Sequence, residues 1–293
     1  MFIATLIAAD TLDAGEISTA ADRLAAAGCT VGTSGWVEAG KAADIGFSEA
    51  PDAARGALEG AFPGVDVVIQ RVVTREKKLL VADMDSTMIT VECVDELADY
   101  AGIKPQIAAI TEAAMRGELD FAQALQARVA LLAGLDETVI ERCLAERVSI
   151  MAGAKVLVRT MRARGAHTVL VSGGFTRFAE PVAREIGFHA AIANVLGISG
   201  GKLDGSVAPP IVDSDAKLRT LRSATHSLAI STEATLAIGD GANDLAMIRA
   251  AGLGVAYHAK PIVAQAAAAR IDHGDLSSLL YAQGIGRAAW AAP

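Results

Sequence analysis

Short apolar runs alternate along this chain with longer stretches in which apolar residues recur at helical spacing. One run stops abruptly: Leu79-Leu80-Val81-Ala82 gives way to Asp83-Met84-Asp85-Ser86-Thr87. A run this short and this apolar predicts a strand buried on both faces of a parallel sheet. Residues 167–171 and 235–239 repeat the pattern, ending in Ser172-Gly173-Gly174, read as a turn, and in Asp240-Gly241-Ala242-Asn243-Asp244. Residues 253–257 predict a last core strand. Helices are predicted over 155–164, 175–186, 216–224, 245–251 and 261–269, and the one at 216–224 carries Lys217. Regular alternation of this kind specifies an α/β, Rossmann-like core around a parallel sheet. Residues 190–198 and 203–207 read as a hairpin whose glycines serve its turn, and 284–293 as a loose tail.

Two stretches break the alternation. Before it, residues 1–75 predict strands at 2–7, 29–37, 43–47 and 65–69, with helices at 16–27 and 53–61. The order β-α-β-β-α-β is the ferredoxin-like split unit. That front domain holds no clustered acids or phosphate loop, so a regulatory or oligomeric role is expected, and it is the candidate surface for a homodimer. Residues 71–78 are charged and read as a solvated linker. Within the alternation, residues 92–150 are almost purely helical, with Asp120 and Gln123 spaced as a capping box and Asp136 as a further cap. A block this long exceeds one crossover connection. It reads as an inserted helical cap. The expected domains are 1–75, a core of 76–93 with 151–293, and a cap of 94–150.

Composition narrows the function classes. The 293 residues are 52% hydrophobic with a net charge of −8. That balance disfavours nucleic acid and anionic membrane surfaces as partners. Cys29, Cys93 and Cys143 are far apart and odd in number, which suggests buried thiols rather than a disulfide framework or a zinc site. The first residues lack a basic n-region and a long apolar h-region, and no apolar run is long enough for a membrane span, so the cytoplasm is the expected compartment.

Four features fall at strand ends or helix starts: Asp83 with Asp85, Ser172-Gly173-Gly174, Lys217, and Asp240 with Asn243 and Asp244. Each alone has a structural explanation, as a tight turn, a solvated lysine or an N-cap. Together they supply the parts of phosphoryl transfer. Asp83, Asp240 and Asp244 offer oxygen ligands to a hard cation such as Mg²⁺. Ser172 and the Gly173 amide can donate to phosphate oxygens, and Lys217 adds a positive charge. Asp83 can attack phosphorus. Side chains at i and i+2 share one side of a strand, about 6.6 Å apart along it, so Asp85 can protonate the leaving oxygen and later activate water.

These motifs, in this order, resemble those of the haloacid dehalogenase superfamily, and within it the phosphoserine phosphatase family. The likeness covers residues 79–280 and reaches the cap at residues 91–97, 115–121 and 127–129. It implies an Mg²⁺-dependent phosphomonoesterase acting on O-phosphoserine through an aspartyl-phosphate. It assigns Asp83 as nucleophile and Asp85 as acid/base. The metal would be held by Asp83, the Asp85 carbonyl and Asp240, with Asp244 in support, and the phosphate by Ser172, Gly173 and Lys217, with Asn243 assisting. In the cap it places Glu92 against the substrate ammonium, Arg128 against its carboxylate, and Met115 and Phe121 as the apolar wall. Glu92 and Arg128 could also be surface charges of helices. The front domain resembles a divergent ACT-type module. The alternatives are a phosphotransferase with another hydroxyl as acceptor, such as homoserine's, and a phosphatase of the same superfamily for another small phosphorylated metabolite; the intact set of Asp83, Asp85, Lys217 and Asp240 argues against an amino-acid-binding regulator with an inactive hydrolase domain.

Overall fold

A computed structural model describes residues 1–292, apart from the side chain of Met115. The front of the chain forms β1 (Phe2–Ala8), α1 (Ala14–Ala26), β2 (Thr30–Glu38), β3 (Ala42–Ser48), α2 (Pro51–Leu58) and β4 (Val65–Arg71). Its strands pair antiparallel in the order β2-β3-β1-β4. Alternation puts Leu6, Ile45, Phe47 and Val67 on one face, where Ile17, Leu24 and Leu58 of the two helices cover them. Asp13 starts α1 with a reciprocal capping box to Glu16.

The second sheet opens with β5 (Leu79–Ala82), whose four residues are all fully buried. Four helices follow before the sheet resumes: α3 (Cys93–Tyr100), α4 (Lys104–Met115), α5 (Phe121–Ala130) and α6 (Thr138–Glu146). Asp120 and Gln123 form the expected capping box at the start of α5, and Asp136 accepts from the Thr138 backbone N–H at 3.0 Å. The chain enters and leaves this helical block through two paired segments. Thr90 N donates to Ser149 O at 3.0 Å and Met151 N to Met88 O at 2.9 Å, with Ile89 opposite Ile150. A two-stranded neck of this kind lets the block sit over the sheet while remaining attached at one place.

The alternation then continues with α7 (Ala154–Ala163), β6 (His167–Phe175), α8 (Thr176–Ile186), β7 (Ala190–Ser199), β8 (Lys202–Ala208), α9 (Ser214–Ser227), β9 (Thr235–Gly239), α10 (Leu245–Ala250), β10 (Leu253–Tyr257), α11 (Pro261–Ala266), β11 (Ala269–Ile271) and α12 (Ser278–Ala282). The seven strands lie in the order β11-β10-β9-β5-β6-β7-β8, parallel except for the β7–β8 hairpin. β5 is central, with β9 and β6 on either side.

Three expectations change. Ser172-Gly173-Gly174 is not a turn: it lies inside β6, which runs on to Phe175. The pairing of β6 with β7 is interrupted between Val171 and Phe175, and glycine tolerates that irregular stretch. Secondly, residues 71–78 are not a solvated linker. Lys77 is 2% exposed, and Arg75 forms a two-pronged pair with Asp44, both contacts at 2.6 Å, while its Nε donates to Ala282 O at 2.9 Å. Thirdly, the end of the chain is docked rather than loose. β11 extends the sheet beyond β10, α12 is buried, and Trp290 packs on Tyr281 at 5.0 Å between ring centroids. Asp66 of β4 fastens the same region, accepting from the backbone N–H groups of Asp272, His273 and Gly274 at 2.8–3.3 Å. Among the described residues, no helix is long and apolar enough to cross a membrane.

Candidate active site

Parallel registry places the site. β5 and β9 align Ala82 with Ile238, and Asp83 N extends the pairing by donating to Ile238 O at 3.0 Å. Ala82 also lies opposite Leu170 of β6. Just past that level stand Asp83 after the end of β5 in the middle, Asp240 after the end of β9 on one side, and Ser172 within β6 on the other. Carboxyl ends of parallel strands are where open α/β sheets bind ligands.

Lys217 joins them from the first turn of α9, whose N-terminus is set by Asp213 accepting from Ala216 N at 2.8 Å. Its ammonium is fully buried and contacts Asp83 Oδ1 and Asp244 Oδ1, each at 2.7 Å. Burial alone would lower its affinity for a proton, but Asp83 and Asp244 outweigh that and hold the lysine above its ordinary value. Asp83 Oδ1 also accepts from Met84 N at 2.7 Å, and among the described residues its second oxygen has no hydrogen-bond partner. Asp244 is fully buried, with Oδ2 accepting from Gly241 N at 3.0 Å.

One carboxylate oxygen from each of Asp83, Asp240 and Asp244 falls within a 4.8 Å cluster. Burial, with Asp244 adding to it, pushes Asp83 well above the usual carboxylate range and Asp240 to about 6. Three acids around one lysine leave negative charge uncompensated in a buried place, which is costly. The donor set is all oxygen, as a hard divalent cation requires. The residues present therefore fit Mg²⁺.

Asp85 stands apart from that cluster. Its Oδ1 accepts from Cys93 N at 3.2 Å. Burial, then the charge of Glu92, raises it to about 7. A carboxyl poised there can give a proton at neutral pH and take one back. A Cβ on Gly174 would come within 2.9 Å of Asp85 Oδ2, and one on Gly173 within 2.9 Å of Phe121 Cζ. Glycine at both positions is thus what lets β6 run under Asp85 and under the helical block. Gly174 N donates to Ser172 Oγ at 2.8 Å.

The helical block brings the other expected residues over these strand ends. Glu92 is exposed and accepts from Ser86 Oγ at 2.7 Å, with Ser86 itself in the left-handed region at φ 55°. Arg128 is half-buried, its Nε donating to Ala124 O at 3.3 Å. Burial lowers its affinity for a proton, against the pull of Asp95, Glu92 and Asp85. Among the described residues it makes no ion pair, so its guanidinium is available to an anion. Asn243 is half-buried beside Gly241. Met115 ends α4, and its side chain lies outside the described residues. The sequence reading gave Thr87 no role, yet its Oγ1 donates to Asp240 Oδ1 at 3.0 Å and fixes that carboxylate. A second hydroxyl directly after Ser86, four residues past Asp83, was the available signal.

The profile of the haloacid dehalogenase-like hydrolases matches residues 80–249. The chain belongs to this family. A curated phosphoserine phosphatase of Mycobacterium tuberculosis is 46% identical over 225 residues, covering 76% of this chain and 55% of that one. Another, of Albidiferax ferrireducens, is 45% identical over 208 residues, covering 69% of this chain and 88% of that one. The chain spans 55–64% of the length of four such relatives at 42–46% identity. The crystal structure of a probable phosphoserine phosphatase from Vibrio cholerae superposes with a TM-score of 0.78 at 30% identity, covering 98% of this chain and 88% of that one. The Lys217-centred cluster of this family member lies within the matched residues.

Proposed function

We propose that this hydrolase is an Mg²⁺-dependent phosphoserine phosphatase, which converts O-phospho-L-serine and water to L-serine and phosphate. The observation that carries the reading is Asp83. One of its oxygens is held by Lys217 and Met84 N, and the other has no hydrogen-bond partner among the described residues. In the first step that oxygen forms a bond to phosphorus and the bond from phosphorus to the serine oxygen breaks. Asp85 gives the leaving oxygen its proton. In the second step Asp85 takes a proton from water, the water oxygen bonds to phosphorus, and the aspartyl-phosphate bond breaks, restoring Asp83. Ser172, the Gly173 amide and Lys217 hold the phosphate oxygens, with Asn243 assisting. Mg²⁺, held by Asp83, Asp240, Asp244 and the Asp85 carbonyl, would neutralise phosphate charge when bound.

The substrate assignment rests on the cap and on Glu92 at its entry. Glu92 complements an ammonium, and Arg128 suits a carboxylate because its guanidinium presents two parallel donors. Phe121, against Gly173, supplies apolar wall, and Met115 is assigned the same part. The names of the curated relatives support the same substrate. We assign residues 94–150 as the cap, 76–93 with 151–293 as the catalytic core, and 1–75 as an ACT-like domain of regulatory or dimerising function, in a cytoplasmic enzyme. The test is phosphate release from a panel of phosphorylated metabolites with and without Mg²⁺. O-phosphoserine should rank first and release should need the metal. A ranking led by a sugar phosphate sinks the substrate assignment, and release without any divalent cation sinks the metal.

A further inference from the structure

We propose that Asn194 is a positioning residue that sets the two walls of the phosphate pocket. It lies in β7 and is 1% exposed. Its Nδ2 donates to Gly173 O at 2.9 Å and to Val212 O at 3.3 Å, and its Oδ1 accepts from Val212 N at 2.8 Å. Only this orientation of the amide works. The flipped one would set Nδ2 against the Val212 N–H and Oδ1 against two carbonyls.

The first wall is the strand end that carries Ser172. Pairing of β6 with β7 lapses after Val171 and resumes at Phe175, opposite Asn194. The Asn194 side chain fills that gap by taking the Gly173 carbonyl. A peptide group is planar, with its C=O and N–H on opposite sides. The peptide between Gly173 and Gly174 is thus held at both ends, its carbonyl by Asn194 and its N–H by Ser172 Oγ at 2.8 Å. Fixing one end orients the other, so Asn194 determines where the Ser172 hydroxyl sits. With Oγ already an acceptor, its own proton is free for a phosphate oxygen.

The second wall is the helix that carries Lys217. Val212 immediately precedes Asp213, the N-cap of α9, and Lys217 N donates to Asp213 O at 3.1 Å in the first turn. One amide therefore fixes the spacing between the Ser172 side of the pocket and the Lys217 side. An apolar residue at 194 would leave the Val212 N–H, the buried Val212 carbonyl and the part-buried Gly173 carbonyl without these partners.

This inference rests on the phosphatase reading above. The experiment measures kcat and KM for O-phosphoserine, and inhibition by inorganic phosphate, on the full chain with Mg²⁺. The proteins are wild type, Asn194→Asp, Ser172→Ala, the double variant, and Leu196→Ala as a control in the same strand. Asn194→Asp keeps the shape and the acceptor for Val212 N, but turns an oxygen on the two carbonyls. It should lower kcat about 10²-fold and weaken phosphate inhibition about tenfold. In the Ser172→Ala background the same change should cost less than about fivefold in kcat, because part of its effect runs through that hydroxyl. Leu196→Ala should lower the melting temperature and leave kcat and phosphate inhibition at wild-type values. Should Asn194→Asp fail to fold, Asn194→Ser enters the same cycle. Additive losses in the double variant, or wild-type phosphate inhibition in a folded Asn194 variant, overturn the role of Asn194 and leave the phosphatase reading standing. A wild-type protein that neither hydrolyses O-phosphoserine nor binds phosphate overturns both.

Discussion

Lys217 and Asp83 share an ion pair at 2.7 Å, with side chains 0% and 7% exposed. They come from elements more than a hundred residues apart, and Asp244 meets the same ammonium from the other side at 2.7 Å. A buried cation between two buried acids is stable only as a set. Removing one member of such a set costs about 3–5 kcal/mol, because a charge is left uncompensated. Lys217→Met should therefore lower the melting temperature and reduce kcat by at least about 10²-fold. Thermal melting and phosphate release check both parts. Unchanged melting would mean that Asp83 and Asp244 do not depend on the ammonium.

Asp83 and Asp85 differ in what holds them, and their substitutions should differ accordingly. On the proposed mechanism Asp83→Asn removes the carboxylate that attacks phosphorus, so turnover should vanish. On the same mechanism Asp85→Asn leaves attack in place but removes the proton carrier, and should cost about 10²–10⁴-fold in rate. The loss should be smaller for an ester whose leaving group needs no proton, such as p-nitrophenyl phosphate. A single-turnover assay in which the Asp85 variant loses equally on both esters would argue against proton transfer.

The motifs at the strand ends were legible because each one terminates an apolar run, and registry between β5, β6 and β9 then brings those ends together. The capping box of α5 was legible for the same local reason: both of its bonds lie within four residues. What escaped the sequence depends on partners far along the chain. Ser172-Gly173-Gly174 has the composition of a turn, and only the approach of Phe121 and Asp85 explains glycines inside a strand. Arg75 and Lys77 look like surface charges until Asp44, Glu233 and α12 are placed around them. β11 is three residues long and follows an alanine-rich helix, too short to show alternation. Asn194 is a lone polar residue among the apolar positions 190–198, with partners that lie 18 and 21 residues away.

Arg128 gives a selectivity prediction. Its guanidinium makes no ion pair among the described residues, while burial has already removed part of its water. Arg128→Ala should raise KM for O-phosphoserine far more than KM for O-phosphoethanolamine, which lacks the carboxylate. Losing a charged hydrogen bond costs about 1.5–3 kcal/mol, or roughly 10–100-fold. Equal losses on both esters would remove Arg128 from carboxylate recognition.

Lys77 gives the pH dependence of stability. It ties the segment that follows β4 to the turn that precedes β9, its ammonium donating to Thr74 O at 2.8 Å and Glu233 O at 2.9 Å. Burial lowers it from 10.5 to about 8, with Glu233 pulling the other way. Below pH 8 both the folded and the unfolded chain carry the proton, and the cost of burying the charge is present in full. Between 8 and 10.5 the unfolded chain binds more protons at this position, so this lysine makes stability rise with pH across that window. The gain accumulated by pH 10 is about 2 kcal/mol. Lys77→Met cannot titrate, and its stability should lack this rise. Urea denaturation of both proteins at pH 7 and pH 10 checks the difference. The stability of the wild type minus that of the variant should increase by about that amount. An equal change in both proteins would mean that Lys77 keeps its ordinary proton affinity in the folded chain.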